Sequence, residues 1–186
     1  MKLKLTNALV LAGIAAFSAP ALASDGAVNL SGEINVQTCS INGASPNSAN
    51  NFTVTLPKST MSALSVVGSY SGDTPFSLTL TGCSPASGTV RTEFASGPTV
   101  AVPAQELNTT YVVGGTGTPL RIIILNADKT KIDVGAASGS QNSTPVAFTG
   151  GAATLNYFAR LHRAVGLPAL NAGAFTTSVV YQLIYN

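Results

Sequence analysis

One histidine, two cysteines and seven carboxylates are the residues of this 186-residue chain with the means to do acid–base, nucleophilic or metal chemistry. His162 stands two residues after Arg160 and directly before Arg163, on the polar side of an alternating stretch. Serine is abundant, so composition alone permits a Ser-His-Asp set. However, no Gly-x-Ser-x-Gly elbow occurs and no acid is patterned near His162. The acids are scattered singly, so neither a carboxylate pair nor a calcium loop stands out. Gly114-Gly115-Thr116-Gly117 lacks a following Lys-Ser/Thr or a helix and reads as a hairpin loop rather than a phosphate cradle. Asn29, Asn51, Asn108 and Asn142 open glycosylation sequons that arise by chance in so Asn/Ser/Thr-rich a chain. They are read as solvated residues. No catalytic residue, metal site or cofactor site is expected, and the chain is not read as an enzyme.

The cysteines take their meaning from the compartment. Lys2 and Lys4 precede an apolar run through Phe17, and Ala21-Leu22-Ala23 completes a small-x-small cleavage pattern. This is the layout of a secretory signal peptide over residues 1–23, too short for a membrane anchor. No other segment approaches the roughly 18 apolar residues of a spanning helix. In an exported chain the expectation for Cys39 and Cys83 is one disulfide. A metal site would want further ligands nearby. Without Lys2 and Lys4 the nine basic residues become seven, equal to the seven acidic ones. A neutral chain so poor in charge has no field to recruit nucleic acid, and low net charge favours association.

The elements that would position these residues are strands. Residues 155–163 alternate, with Leu155, Tyr157, Ala159 and Leu161 on one face. Ile122-Ile123-Ile124-Leu125 is apolar on both faces and suits a central strand. Residues 75–80 lead as a strand into Cys83, residues 52–57 form a short strand ended by proline, and 90–95 and 111–113 are further strands. Residues 131–134 are expected as a hairpin partner after a turn at Asp128-Lys129. Residues 60–71 are ambiguous between a helical turn around Met61, Leu64 and Val67 and an irregular strand. About seven short strands with no long helix point to an immunoglobulin-type β-sandwich in a single domain.

Two stripes at the ends of the exported chain are left over. In 173–186, Phe175, Thr177, Val179, Tyr181, Leu183 and Tyr185 share one face of a strand that runs to Asn186 without a turn, proline or charge. Edge strands are normally blunted by such features. In 24–36, Val28, Leu30, Gly32, Ile34 and Val36 alternate with Asn29, Ser31, Glu33 and Asn35. Each stripe needs a surface to cover.

Four features in order give these stripes a context. They are Leu30-x-Gly32-x-Ile34 ahead of Cys39; then Val54-x-Leu56-Pro57, Leu64, Gly68, Pro75-Phe76-x-Leu78-x-Leu80 and Cys83; then Ala159-Arg160 late in the chain; and finally Gly173 with a penultimate Tyr185. In combination the sequence resembles a chaperone–usher fimbrial subunit, a type 1-like pilin, over all of 24–186. Leu161 stands where the family often has an aromatic after the Ala-Arg pair.

The resemblance implies an all-β, incomplete immunoglobulin-like sandwich lacking its last strand, completed in trans by a donor strand. It implies a donor extension over 24–36, carried by Val28, Leu30, Gly32 and Ile34, and a pilin domain over 37–186. It also implies an acceptor and chaperone-binding strand that includes Gly173, Val179, Tyr181, Leu183, Tyr185 and Asn186, whose carboxylate the chaperone would grip. The expected partners are a periplasmic pilus chaperone, an outer-membrane usher and neighbouring pilin subunits, in a fimbrium on the bacterial surface. The expected role is structural, within a fibre that supports cell adhesion. The alternative, a tip adhesin or carbohydrate-binding pilin, would need a lectin domain for which the chain has little room. A secreted β-protein using the same export route is a more distant reading.

Overall fold

The computed structural model describes residues 38–46, 48, 50–111, 119–164 and 170–186. The signal-peptide reading, the stripe of Val28, Leu30, Gly32 and Ile34, and the glycine cluster at 114–117 lie outside the described residues.

Nine strands are described: β1 (Thr38–Ile41), β2 (Tyr70–Ser84), β3 (Thr89–Phe94), β4 (Val100–Ala101), β5 (Glu106–Asn108), β6 (Leu120–Asn126), β7 (Val146–Ala147), β8 (Ala153–Arg163) and β9 (Tyr181–Tyr185). The described ladders are all antiparallel. They form one sheet in the order β1-β2-β8-β6-β5-β4 and a second in the order β7-β3-β9.

The centre of the larger sheet follows from sequence period. In β8 the odd residues Leu155, Tyr157, Ala159 and Leu161 are buried, while Thr154 and Asn156 are exposed. In β6 every residue from Ile122 to Leu125 is buried, as its position between β8 and β5 requires. The two sheets meet through β8 and β3. The Tyr157 ring packs edge-on against Phe94 with centroids 5.8 Å apart, and its hydroxyl donates to Thr92 Oγ1 at 2.9 Å. That bond satisfies the one polar atom that Tyr157 would otherwise bury unpaired.

Several expectations need correction. Residues 52–57 are not a strand, although Val54 and Leu56 still face inward and Thr53 and Thr55 outward. A ladder needs a backbone partner, and among the described residues this segment has no ladder with either neighbour, β2 or β9. Tyr111 is buried but lies outside any strand. Residues 131–134 contribute only a bridge from Lys131 to Leu125, with Ile132 and Val134 fully buried behind it. The ambiguous stretch resolves into a 3-10 turn at Ser62–Leu64 that buries Leu64 and leaves Met61 and Val67 exposed.

The disulfide between Cys39 and Cys83 is present. It joins β1 to β2, its only ladder partner among the described residues, and so anchors the edge of the larger sheet.

On its β7 side, β3 is pinned by side chains. Gln141 is 4% exposed; its Oε1 accepts from Phe94 N at 2.8 Å and its Nε2 donates to Phe94 O at 2.9 Å, standing in for a ladder. Glu93, also buried, accepts at one carboxylate oxygen from Gly139 N (2.8 Å), Ser138 Oγ (2.9 Å) and Arg91 Nη2 (3.0 Å). The Gly139 amide, with Ser138 and Arg91, holds this carboxyl below its ordinary range. A lowered folded-state value means the stabilisation is present above the unfolded carboxyl range. It is lost as pH falls through the folded value. Unfolding midpoints measured across the acid range should therefore decline with falling pH, and Glu93→Gln should flatten that decline while lowering stability at neutral pH. An unchanged acid limb in the variant contradicts this role.

Candidate functional site: an open sheet edge

The terminal segment is where the sandwich is left unfinished. Thr89 and Asn186 exchange backbone hydrogen bonds in both directions, at 2.8 and 2.9 Å. Antiparallel pairing alternates bonded and non-bonded pairs. The bonded set thus continues through Arg91 with Ile184 and Glu93 with Gln182, and Ala95 N donates to Val180 O at 2.8 Å. The even residues of the segment spend their backbone groups on β3. The N–H and C=O groups of Val179, Tyr181, Leu183 and Tyr185 point the other way. No described strand lies along that side, because β9 ends its sheet.

Side chains follow the same parity. Phe175, Val179, Tyr181, Leu183 and Tyr185 are half-buried against the core, whereas Val180 on the opposite face is 72% exposed. Half-burial of five such residues in a row means that the core reaches this edge but is not closed over it. The far wall is the segment 50–56. Val54 and Leu56 are also half-buried against the core. The Phe52 ring lies 6.0 Å from Tyr181 and 6.1 Å from Phe76 on β2, centroid to centroid. Tyr181 Oη donates to Asn50 O at 3.1 Å, and Asn50 Nδ2 donates to Ile41 O at 2.7 Å. The result is an apolar trough between the two sheets, crossed at one point by Phe52.

Phe52, 40% exposed, is therefore a partial cover. Phe52→Ala should lower the stability of the subunit by about 1–2 kcal/mol, since only part of the ring is buried. Denaturant titration of the variant measures this loss, and a midpoint equal to wild type contradicts it.

The remaining residues singled out from sequence are placed as follows. Asn186 is seated beside β3, where Gly88, at φ +103°, leaves room for its backbone; a Cβ there would stand 2.4 Å from Asn186 O. Gly173 does not lie on the open edge of β9. It makes room for Tyr111, whose ring would stand 3.2 Å from a Cβ at that position. Tyr111 Oη in turn donates to Asn171 O and accepts from Asn171 N. His162 does have an acid neighbour: its Nδ1 lies 3.1 Å from Glu106 Oε2, and its ring stacks on Tyr70 at 4.8 Å. Glu106 is 56 residues away in sequence, beyond any local pattern. Among the described residues no group of three or more His, Cys, Asp or Glu could hold a metal ion. Sequence reasoning missed Asn50 and Phe52 as the opposite wall. The alternation from Phe52 to Leu56 was visible, but its contact with Tyr181 was not.

Fold and edge together define the class: an all-β, immunoglobulin-like sandwich that is one strand short. Comparison with known proteins narrows it. Residues 56–186 match the family model described as FimA, type-1 fimbrial protein, A. The chain is 32% identical to the major fimbrial subunit SMF-1 of Stenotrophomonas maltophilia (strain K279a) over 93% of this chain and 99% of that one. It is 33% identical to the F17 fimbrial protein of Escherichia coli over 92% and 93% of the two chains. Among solved structures it shares the fold of the P pilus rod subunit PapA, with a TM-score of 0.56 at 22% identity over 80% of this chain and 99% of that one. The chain belongs to the type-1 fimbrial protein family, a family of fimbrial structural subunits rather than enzymes.

Proposed function

We propose that this protein is a structural subunit of a chaperone–usher fimbria and that it polymerises by accepting a β-strand from a neighbouring copy along the Val179–Tyr181–Leu183–Tyr185 edge. The observation that carries this is the coincidence on those four residues of backbone groups with no ladder partner among the described residues and half-buried apolar side chains. The backbone row supplies generic strand affinity and the alternating pockets supply selectivity; strand donation to pilins by chaperones is itself a known instance of this mode.

The donor is the segment 24–36, with Val28, Leu30, Gly32 and Ile34 turned into the trough. At no more than about 3.3–3.6 Å per residue it spans roughly 43–47 Å when fully extended, comparable to the fourteen-residue terminal stretch it would lie beside. Before polymerisation a periplasmic chaperone fills the same edge, and an outer-membrane usher delivers the subunit to the growing fibre. Because a donor and an acceptor are different surfaces, the contact is heterologous and gives an open filament rather than a closed ring. Electron microscopy of cells with and without this chain tests the reading: fibres are expected only when it is present. Fibres of equal number and length in its absence contradict it.

A further inference from the structure

Four of the seven large apolar side chains most exposed among the described residues fall within ten positions: Met61 (55%), Val66 (67%), Val67 (52%) and Tyr70 (52%). Met61, Val66 and Val67 lie in the segment leading into β2, and Tyr70 is the first residue of that strand. Gly68 N donates to Arg163 O at the end of β8, and Leu64 anchors the turn in the core. No charged residue occurs between Ser59 and Gly72. Exposed apolar clusters of this kind mark interaction sites, and here the Tyr70 ring is flanked by His162 at 4.8 Å and the Arg160 guanidinium at 5.4 Å.

The opposite end of β2 has matching chemistry. There Thr38 pairs with Ser84, and Ser84-Pro85-Ala86-Ser87-Gly88 lies exposed, with Gly88 O accepting from Phe148 N at 3.0 Å. This end too is small, uncharged and exposed. It is also the end at which the described chain begins, at Thr38.

We propose that the Met61/Val66/Val67/Tyr70 patch is a second contact between copies of this chain, seating the Pro85–Ala86 end of the preceding subunit. The inference rests on the proposed function. Copies related along a fibre face each other with unlike ends, so the end that sends out the donor segment meets the patch end of the next copy. Like-with-like contact would close a two-fold dimer and stop growth. The donated strand fixes which copy binds, and the patch fixes how the two bodies abut and covers apolar surface that the strand leaves open.

Val67→Asp in the full-length chain, produced in fimbriate cells, tests this. Val67 is exposed, so exported subunit and its thermal midpoint should match wild type, while mean fibre length in negative stain should fall at least about tenfold. Val102→Asp is the control. Val102 is 84% exposed just beyond the two-residue β4, on the edge strand opposite β1, and its fibres should match wild type. Wild-type fibre length with Val67→Asp overturns the contact. So does a lowered midpoint both in that variant and in the milder Val66→Ser/Val67→Ser pair, because the patch then belongs to the subunit's own fold. If wild-type cells carry no fibre containing this chain, the proposed function fails, and the contact with it.

Discussion

Leu30→Asp is expected to abolish fibres, whereas Asn29→Asp, one residue away, should polymerise nearly as wild type. The two substitutions introduce the same charge into the same short segment and differ only in parity. In an extended strand Val28, Leu30, Gly32 and Ile34 would share one face, and Asn29 and Ser31 the other. If that strand enters the trough beside β9, Leu30 is buried between the sheets. Burying one leucine side chain is worth roughly 1.5–3 kcal/mol. An unpaired carboxylate in its place costs several kcal/mol more. Together these shift strand exchange by several powers of ten. If the segment serves a different copy, folding of the subunit that carries it should be unaffected. Fibre yield and soluble subunit yield, measured for both variants, decide the matter. Equal fibre yields contradict strand donation, and loss of soluble Leu30→Asp subunit assigns the segment to its own sandwich.

The second large effect is that of the disulfide. Cys39 and Cys83 are 44 residues apart in sequence. A crosslink closing a loop of that size removes chain entropy worth about 4 kcal/mol in the loop-closure model. That is a large part of the 5–15 kcal/mol typical of a whole domain. Its position adds to the effect: β1 has four residues and, among the described residues, has a ladder with β2 alone. Asn50 is tied to β1 through Ile41 and to β9 through Tyr181, so loosening β1 also loosens the far wall of the trough. Cys39→Ser/Cys83→Ser should lower the unfolding free energy by about 4 kcal/mol in denaturant titrations and reduce the yield of exported subunit. A midpoint within experimental error of wild type contradicts this.

What could be read from the sequence was whatever carries a long enough period. β8 and the terminal segment show five or more positions of alternation, and β6 a run of four apolar residues. β8 and β6 are found where expected, whereas the strand expected over 173–186 is laddered only at Tyr181–Tyr185, with Phe175 and Val179 before it still on the expected inward face. β4 and β5, of two and three residues, are too short to show a period and were not anticipated. The stretch from Phe52 to Leu56 had the alternation of a strand, and its side chains obey it. Its backbone is unladdered because pairing depends on a neighbour that local sequence does not record. The Glu106–His162 and Gln141–Phe94 contacts join residues 56 and 47 positions apart, and such pairings are set by topology. The open edge was legible as an apolar strand without protection. The wall opposite, with Phe52 over Phe76 and Tyr181, required the packed structure.

The most direct test of the central claim is electron cryo-microscopy of fibres built from this chain, at a resolution that traces side chains. The account predicts an added strand hydrogen-bonded to Val179, Tyr181, Leu183 and Tyr185, continuous with a different copy of the chain and with Leu30 turned into the trough. An edge left empty, or one filled by residues 24–36 of the same copy throughout the fibre, would contradict it.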